Sequence, residues 1–116
     1  MGRKNKFRAP PFVMLENGML DSEEWQGISS NAVRVYILLR RKFKGHNADD
    51  LSLTYREVQH NMSPATYSKV LKELKEKEII SVVRQGGLYN RCTIFSIRNK
   101  WFIQGGKAPK DPVLQL

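Results

Sequence analysis

Apolar residues along the chain recur with two different periods, and the period separates helix from strand. Between Asn31 and Lys44, Ala32, Val35, Tyr36, Leu39 and Phe43 follow three- and four-residue spacing, which predicts a helix with one buried stripe. Val33, Ile37 and Leu38 widen that stripe, so the helix reads as buried on much of its circumference. Ser29 or Ser30 supplies its cap, and Gly45 stops it. Arg40, Arg41, Lys42 and Lys44 crowd its last turns, where cations complement the helix dipole. A second helix is expected from Pro64 to about Lys77, with Tyr67, Val70, Leu71 and Leu74 on one face. Two start signals agree there, because Ser63 is a good cap and proline is tolerated at the first helical position.

Shorter elements fill the intervals. Leu51-Ser52-Leu53 alternates like a strand, and Thr54 with Glu57 forms a capping box that opens a short helix from Tyr55 to about His60. Asn61-Met62 makes a tight break, for which asparagine tolerates a left-handed backbone. Ile79 to Arg84 and Arg91 to Ile97 are β-rich runs joined by Gln85 to Asn90, whose paired glycines predict a hairpin. Its register stays open, because both faces of the second run mix apolar and polar residues. Toward the N-terminus, Phe12 to Leu15 is either a strand or a packed segment, ended by Asn17-Gly18. Asp21 to Glu24 has the form of a capping box for one turn over Ser22 to Trp25, and Trp25 and Ile28 are expected to close over the core. Trp101, Phe102 and Ile103 can fold back on it. The expected organisation is therefore one domain over residues 12–103, a flexible basic arm over 1–11 and a flexible tail over 104–116.

Charge changes the picture more than composition does. A chain with 41% hydrophobic and 27% charged residues can bury a core, so wholesale disorder is excluded as a reading. The formal net charge of +9 favours a polyanionic partner, and DNA, RNA and acidic membranes all qualify. Arg3, Lys4, Lys6 and Arg8 of the arm are balanced by Glu16, Asp21, Glu23 and Glu24, so the surplus belongs partly to the folded body. No apolar run approaches the roughly 20 residues of a membrane-spanning helix, and the basic N-terminus lacks the apolar stretch of a signal peptide. The single cysteine, Cys92, excludes an internal disulfide and suits a reducing cytoplasm, which is the expected location.

Helix, short strand, short helix, tight turn, helix and hairpin is the order of a winged helix-turn-helix, an α+β fold with a three-helix core and a β-hairpin wing. A helix on a rigid base can enter the DNA major groove, about 12 Å wide, and present its N-terminal half to base edges. At 100° per residue, the stripe of Tyr67, Val70, Leu71 and Leu74 leaves Ala65, Lys69, Lys72 and Glu76 opposite, with Thr66 and Ser68 flanking. Ser63, Ala65, Thr66, Ser68, Lys69 and Lys72 are thus the candidate contacts of a recognition helix over about 64–77. The plain alternative is a solvated face in which Lys69, Lys72 and Lys75 pair with Glu73 and Glu76. Arg84, Tyr89 and Arg91 around the hairpin loop are candidate phosphate or minor-groove contacts, against a role in strand solubility alone.

The ordered set of Phe12 to Leu15, Trp25, the Ser29–Lys44 helix, Leu53 to Glu57, Ser63 to Tyr67, Leu71 to Leu74, Ile79-Ile80, Gln85 to Gly87 and Lys100-Trp101 resembles a group of small bacterial winged helix-turn-helix proteins. It is similar also to the N-terminal domains of plasmid and phage replication initiators. The resemblance covers roughly residues 10–103. It implies that the Pro64–Lys77 helix is the recognition helix and that Gly86-Gly87 belongs to the wing. The chain departs from that group where Glu78 replaces a usual glycine, implying a different or strained helix end, and where His60-Asn61 replaces a common leucine-glycine pair.

Signals for other chemistry are weak. His46, Asp49 and Asp50 cluster, but neither histidine has a partner at i+3 or i+4 and Cys92 has no second thiolate, so a polar loop is the expectation and no metal or cofactor is. No phosphate-binding glycine loop, nucleophile motif or paired carboxylate set is present, and Tyr89 lacks the histidine pair of a strand-transfer enzyme. The expected function is non-catalytic double-stranded DNA binding, as a transcriptional regulator or a replication-linked protein of a mobile element, with a homodimer possible in principle. Its rivals are a protein-binding winged helix, using its wing or its apolar N-terminal segment, and non-specific or double-stranded RNA binding.

Overall fold

The computed structural model describes residues 11–86 and 92–102. Within them the chain is α+β, with four α-helices and one antiparallel strand pair. Two short turns come first, α1 (Asn17–Leu20) and α2 (Glu23–Gln26), then the long helix α3 (Ser30–Arg41). A single 3₁₀ turn, η1 (Tyr55–Glu57), precedes α4 (Pro64–Glu76), and β1 (Ser81–Arg84) pairs with β2 (Ile94–Ser96).

The caps read from the sequence set most of these boundaries. The Ser29 hydroxyl accepts the Ala32 N–H at 3.2 Å and the Ser63 hydroxyl accepts the Thr66 N–H at 3.2 Å. In the Thr54–Glu57 box the Glu57 carboxylate accepts the Thr54 N–H at 3.1 Å. Some expectations shift. The cap of α2 is Ser22, whose hydroxyl accepts the Trp25 N–H, so Asp21 is not the capping residue. Asn17-Gly18 does not end an element but opens α1, because Met19 is needed inside, where it is fully buried. Helix α3 stops at Arg41, three residues early, where Asn47 folds back to donate to the Lys42 carbonyl at 3.1 Å and to accept the Lys44 N–H at 2.6 Å. Gly45 follows with a φ of 97°.

One core is built from α3, α4 and the strands. Val35, Tyr36 and Leu39 of α3 meet Val70 and Leu74 of α4, with Leu51, Val58, Ile79, Phe95 and Ile97 completing the cluster. Leu51 bridges Phe95 antiparallel, with Leu51 N–H to Phe95 O at 3.1 Å and Phe95 N–H to Leu51 O at 2.7 Å. Phe95 therefore has neighbours on both sides, since Val82 of β1 is its other partner. The register left open by the sequence is Ser81 with Ser96, Val82 with Phe95 and Arg84 with Ile94, with an irregularity at Val83 that leaves this valine exposed.

Arg40 does more than complement the helix dipole. It is 6% exposed, and its guanidinium donates to both Glu16 oxygens at 3.0 Å and to the Tyr36 hydroxyl at 3.1 Å. The rings of Phe43 and Phe102 lie against it at 5.8 and 5.3 Å. A planar two-pronged donor fits a carboxylate in this way, whereas a lysine would not. The pair ties the segment before α1 to the end of α3. Trp25 meets the Tyr36 ring edge-on at 5.4 Å, as its expected place over the core requires.

A left-handed residue occurs where the family resemblance expects glycine. The end of α4 has Glu78 at a φ of 60°, with the Ile79 N–H bonded to Leu74 O and the Glu78 N–H to Lys75 O, both at 3.0 Å. These are the paired bonds of a Schellman cap, with Ile79 and Leu74 both fully buried beside it. Asn61, expected to supply a left-handed turn, is not among the described residues with positive φ. No helix among the described residues is long and apolar enough to cross a membrane.

Candidate nucleic-acid interface

Helix α4 presents its candidate residues through the geometry of its own core stripe. Tyr67, Val70 and Leu74 are buried, so the opposite side of the helix faces outward. Ala65, Ser68, Lys69 and Lys72 are exposed there, and Thr66 is half-buried. Ser63 is exposed but engaged in capping, since its hydroxyl also lies 3.1 Å from the Thr66 hydroxyl. The Tyr67 hydroxyl donates to the Leu53 carbonyl at 2.6 Å and fixes the rotation of the helix about its axis.

Lysines on this face carry unneutralised charge. The ion pairs among the described residues are Arg40–Glu16, Lys42–Glu57, Arg98–Asp49 and Lys100–Glu24, so neither Lys69 nor Lys72 joins one. Glu73 would be the i+4 partner of Lys69, but its carboxylate is turned to α3. It accepts the Ser29 N–H at 2.8 Å and the Ser29 hydroxyl at 3.0 Å. The solvated lattice of i,i+4 pairs weighed from the sequence is therefore not the arrangement on this face.

The same contact joins two helices into one surface. Thr66, Lys69, Lys72, Glu73 and Glu76 of α4 share a groove of about 610 Å³ with Ser29 and Asn31. Sequence reasoning missed Asn31 as part of this surface. Nothing local marks it, because the groove forms only when residues 29 and 73 meet.

Arg84 sits apart from that groove, exposed on β1. Its guanidinium donates to the Cys92 carbonyl at 3.1 Å across the strand pair, so it is partly engaged and not wholly free as its surroundings in sequence imply. Gly86 N–H donates to the Thr93 hydroxyl at 2.9 Å just beyond it. Tyr89 and Arg91 lie outside the described residues. Arg56 is exposed on η1, ahead of the turn into α4.

The loop over residues 46–50 is organised by hydrogen bonds. Asp49 accepts the Ser96 hydroxyl at 2.6 Å and Arg98 Nε at 2.8 Å, and these two donors, Ser96 first, hold its carboxyl below the usual range. His46 is exposed, and among the described residues no three metal-ligating side chains gather.

Comparison with protein-family models, with curated proteins and with solved structures finds no match to this chain.

Proposed function

We propose that the chain is a winged helix-turn-helix protein that binds double-stranded DNA without catalysis, with α4 as its recognition helix. The element order supports this reading, with α3, η1 and α4 as the three-helix core. Leu51 adds a third, one-residue strand beside Phe95, and β1 with β2 makes the wing.

The observation that carries it is the start of α4. A helix N-terminus bears partial positive charge, and acidic residues there are favourable. Yet α4 has no acid in its first turn or anywhere before Glu73, and Glu73 is committed to Ser29. Instead its outward face offers Ala65, Ser68, Lys69 and Lys72, small enough to approach base edges and charged enough to meet phosphates. An acid-free, positively polarised helix end on a rigid base fits a polyanion. The major groove of B-DNA admits such a helix, whereas the deep, narrow major groove of A-form RNA does not. Arg84 and Arg56 would then meet the backbone on either side of the groove.

Replacing both Lys69 and Lys72 by glutamate tests the reading. The thermal melt should stay within a degree or two of wild type, since both side chains are exposed and unpaired. Affinity for duplexes selected from a random library should fall at least tenfold, and the slope of log affinity against log salt should shrink by about 1–2 units. Duplex binding that survives the double change would remove α4 from the groove.

A further inference from the structure

The outward face of α3 has a different chemistry from that of α4, and the DNA reading does not use it. Ser30, Arg34, Ile37 and Arg41 lie opposite the core residues Ala32, Val35, Tyr36 and Leu39. Val33 and Ile37 are half-buried, but unlike their neighbour Leu38 they are not packed against the buried core cluster. They border a shallow groove of about 340 Å³ with Ser30, Arg34 and Leu38. Leu38 also borders a second groove with Arg41, Lys42 and Lys44, and Arg41 borders a third with Phe12 and Met14. Phe12 and Met14 are 70% and 47% exposed, two of the three large hydrophobic residues most open to solvent among the described residues.

Around this chain of grooves the charge is predominantly positive. Helix α3 contains no acidic residue, and its rim carries Arg34, Arg41, Lys42 and Lys44. Glu57 is the one acid lining these grooves, and Lys42 holds it at 2.7 Å. Arg34 and Arg41 are exposed and join none of the ion pairs of the described residues.

That combination selects an occupant. A second copy seated by the same face would set arginine against arginine, because a twofold contact pairs each patch with itself. DNA phosphates would gain nothing from Ile37, Val33, Phe12 and Met14. A membrane surface suits a convex apolar ridge, whereas these features are grooves. An amphipathic helix with apolar residues at i, i+3, i+4 and i+7 and acidic residues between them satisfies both the apolar floor and the basic rim.

We propose that the outward face of α3, extended by Phe12 and Met14, is a docking site for an acidic amphipathic helix of a partner protein. Apolar side chains of the partner cover Ile37 and Val33, and its carboxylates meet Arg34 and Arg41. The site lies along α3 and not on α4, and it meets the α4 groove only at its N-terminal end, where Ser30 adjoins Ser29 and Asn31.

The test uses a displayed library of random 16-residue peptides, selected on the full chain and counter-selected on Ile37→Glu. Enriched peptides should be acidic, with apolar residues at helical spacing. As synthetic peptides they should bind at least tenfold more weakly to Ile37→Glu and to the exposed double variant Arg34→Glu, Arg41→Glu, measured by fluorescence anisotropy. Both variants should melt like wild type and keep duplex affinity. No enrichment over the counter-selection, enrichment of neutral or basic peptides, or equal binding to the variants would overturn the proposal. So would a concentration-dependent mass in sedimentation that Ile37→Glu abolishes, which assigns the face to a second copy. Binding to phosphatidylserine vesicles lost in Ile37→Glu, or duplex binding lost in a variant that still melts normally, would reassign it to a membrane or to DNA.

Discussion

Helices α3 and α4 are alike on the inside and unlike on the outside. Each is capped by a serine hydroxyl, each begins without an acid in its first turn, and each turns a stripe of buried residues to one shared core. Outward, α3 shows Ile37 between arginines while α4 shows Ala65, Ser68, Lys69 and Lys72. Their polar anchors differ too. Near its C-terminal end α3 is held by a buried ion pair, Arg40 with Glu16, whereas α4 is held by a neutral hydrogen bond from Tyr67, by Glu73 on Ser29 and by a left-handed cap at Glu78. The stripe decides how a helix packs, and what lies opposite decides what it can meet. Two helices of equal periodicity can therefore present different surfaces.

Breaking the anchor of α3 should have the largest effect on stability. Glu16→Ala leaves the Arg40 guanidinium buried without its carboxylate, and such a loss costs about 3–5 kcal/mol. Urea unfolding followed by far-UV circular dichroism measures it. A cost below about 1 kcal/mol would mean that Arg40 swings to water and that α3 is held by packing alone.

The anchor of α4 answers to pH instead. Burial, with the Glu57 charge adding to it, pushes the Tyr67 phenol up to about 12. Below pH 10 it is neutral whether the chain is folded or unfolded, so its contribution is constant. Between about pH 10 and 12 the unfolded chain loses the proton first, and stability falls by about 1.4 kcal/mol per unit of pH, reaching about 2–3 kcal/mol. Tyr67→Phe should cost about 1–3 kcal/mol at pH 7, because the Leu53 carbonyl loses its donor, and should flatten that alkaline decline. Parallel denaturation curves for the two proteins at pH 9 and pH 11 give the comparison, and an equal decline in both would place the titration elsewhere.

The cap of α4 gives the smallest change and the opposite sign. A residue with a side chain at a φ of 60° is strained by about 1 kcal/mol relative to glycine. Glu78→Gly should raise stability by about that amount, seen as a shift of a few degrees in the melt of a domain this size. No gain would mean that the Glu78 side chain contributes a compensating contact.

What could be read in the sequence follows the range of the interactions. Caps act over three residues and stripes over four, so Ser29, Ser63, the Thr54–Glu57 box and the main buried stripes of α3 and α4 were legible, whereas Val33 and Ile37, expected to widen the buried stripe of α3, lie half-buried on its outward side. So was the outward placement of Ala65, Ser68, Lys69 and Lys72, which needs only the helical period. Arg40 was not legible, because in a run of four cations over five positions nothing local distinguishes the one that meets Glu16 from 24 residues away. The hairpin register was hidden for a related reason: Phe95 is fixed from both sides, by Val82 and by Leu51, and Leu51 is remote in sequence. The strained end of α4 could be anticipated only through the resemblance that expects glycine at Glu78. The free lysines of α4 depend on Glu73 leaving them for Ser29, again a contact between distant segments.

That last contact also bears on how the chain assembles. Ser29 and Glu73 are separated by 44 residues, and between them lie α3, the loop with Gly45, η1 and most of α4. The backbone amide of the residue that caps α3 finds its acceptor only after α4 has docked. Opening of α4 therefore leaves the Ser29 amide without its acceptor, so exchange at that amide should follow the opening of α4. A duplex gripping α4 would accordingly slow exchange at the Ser29 amide, through the Glu73 carboxylate as well as through any direct contact in the shared groove.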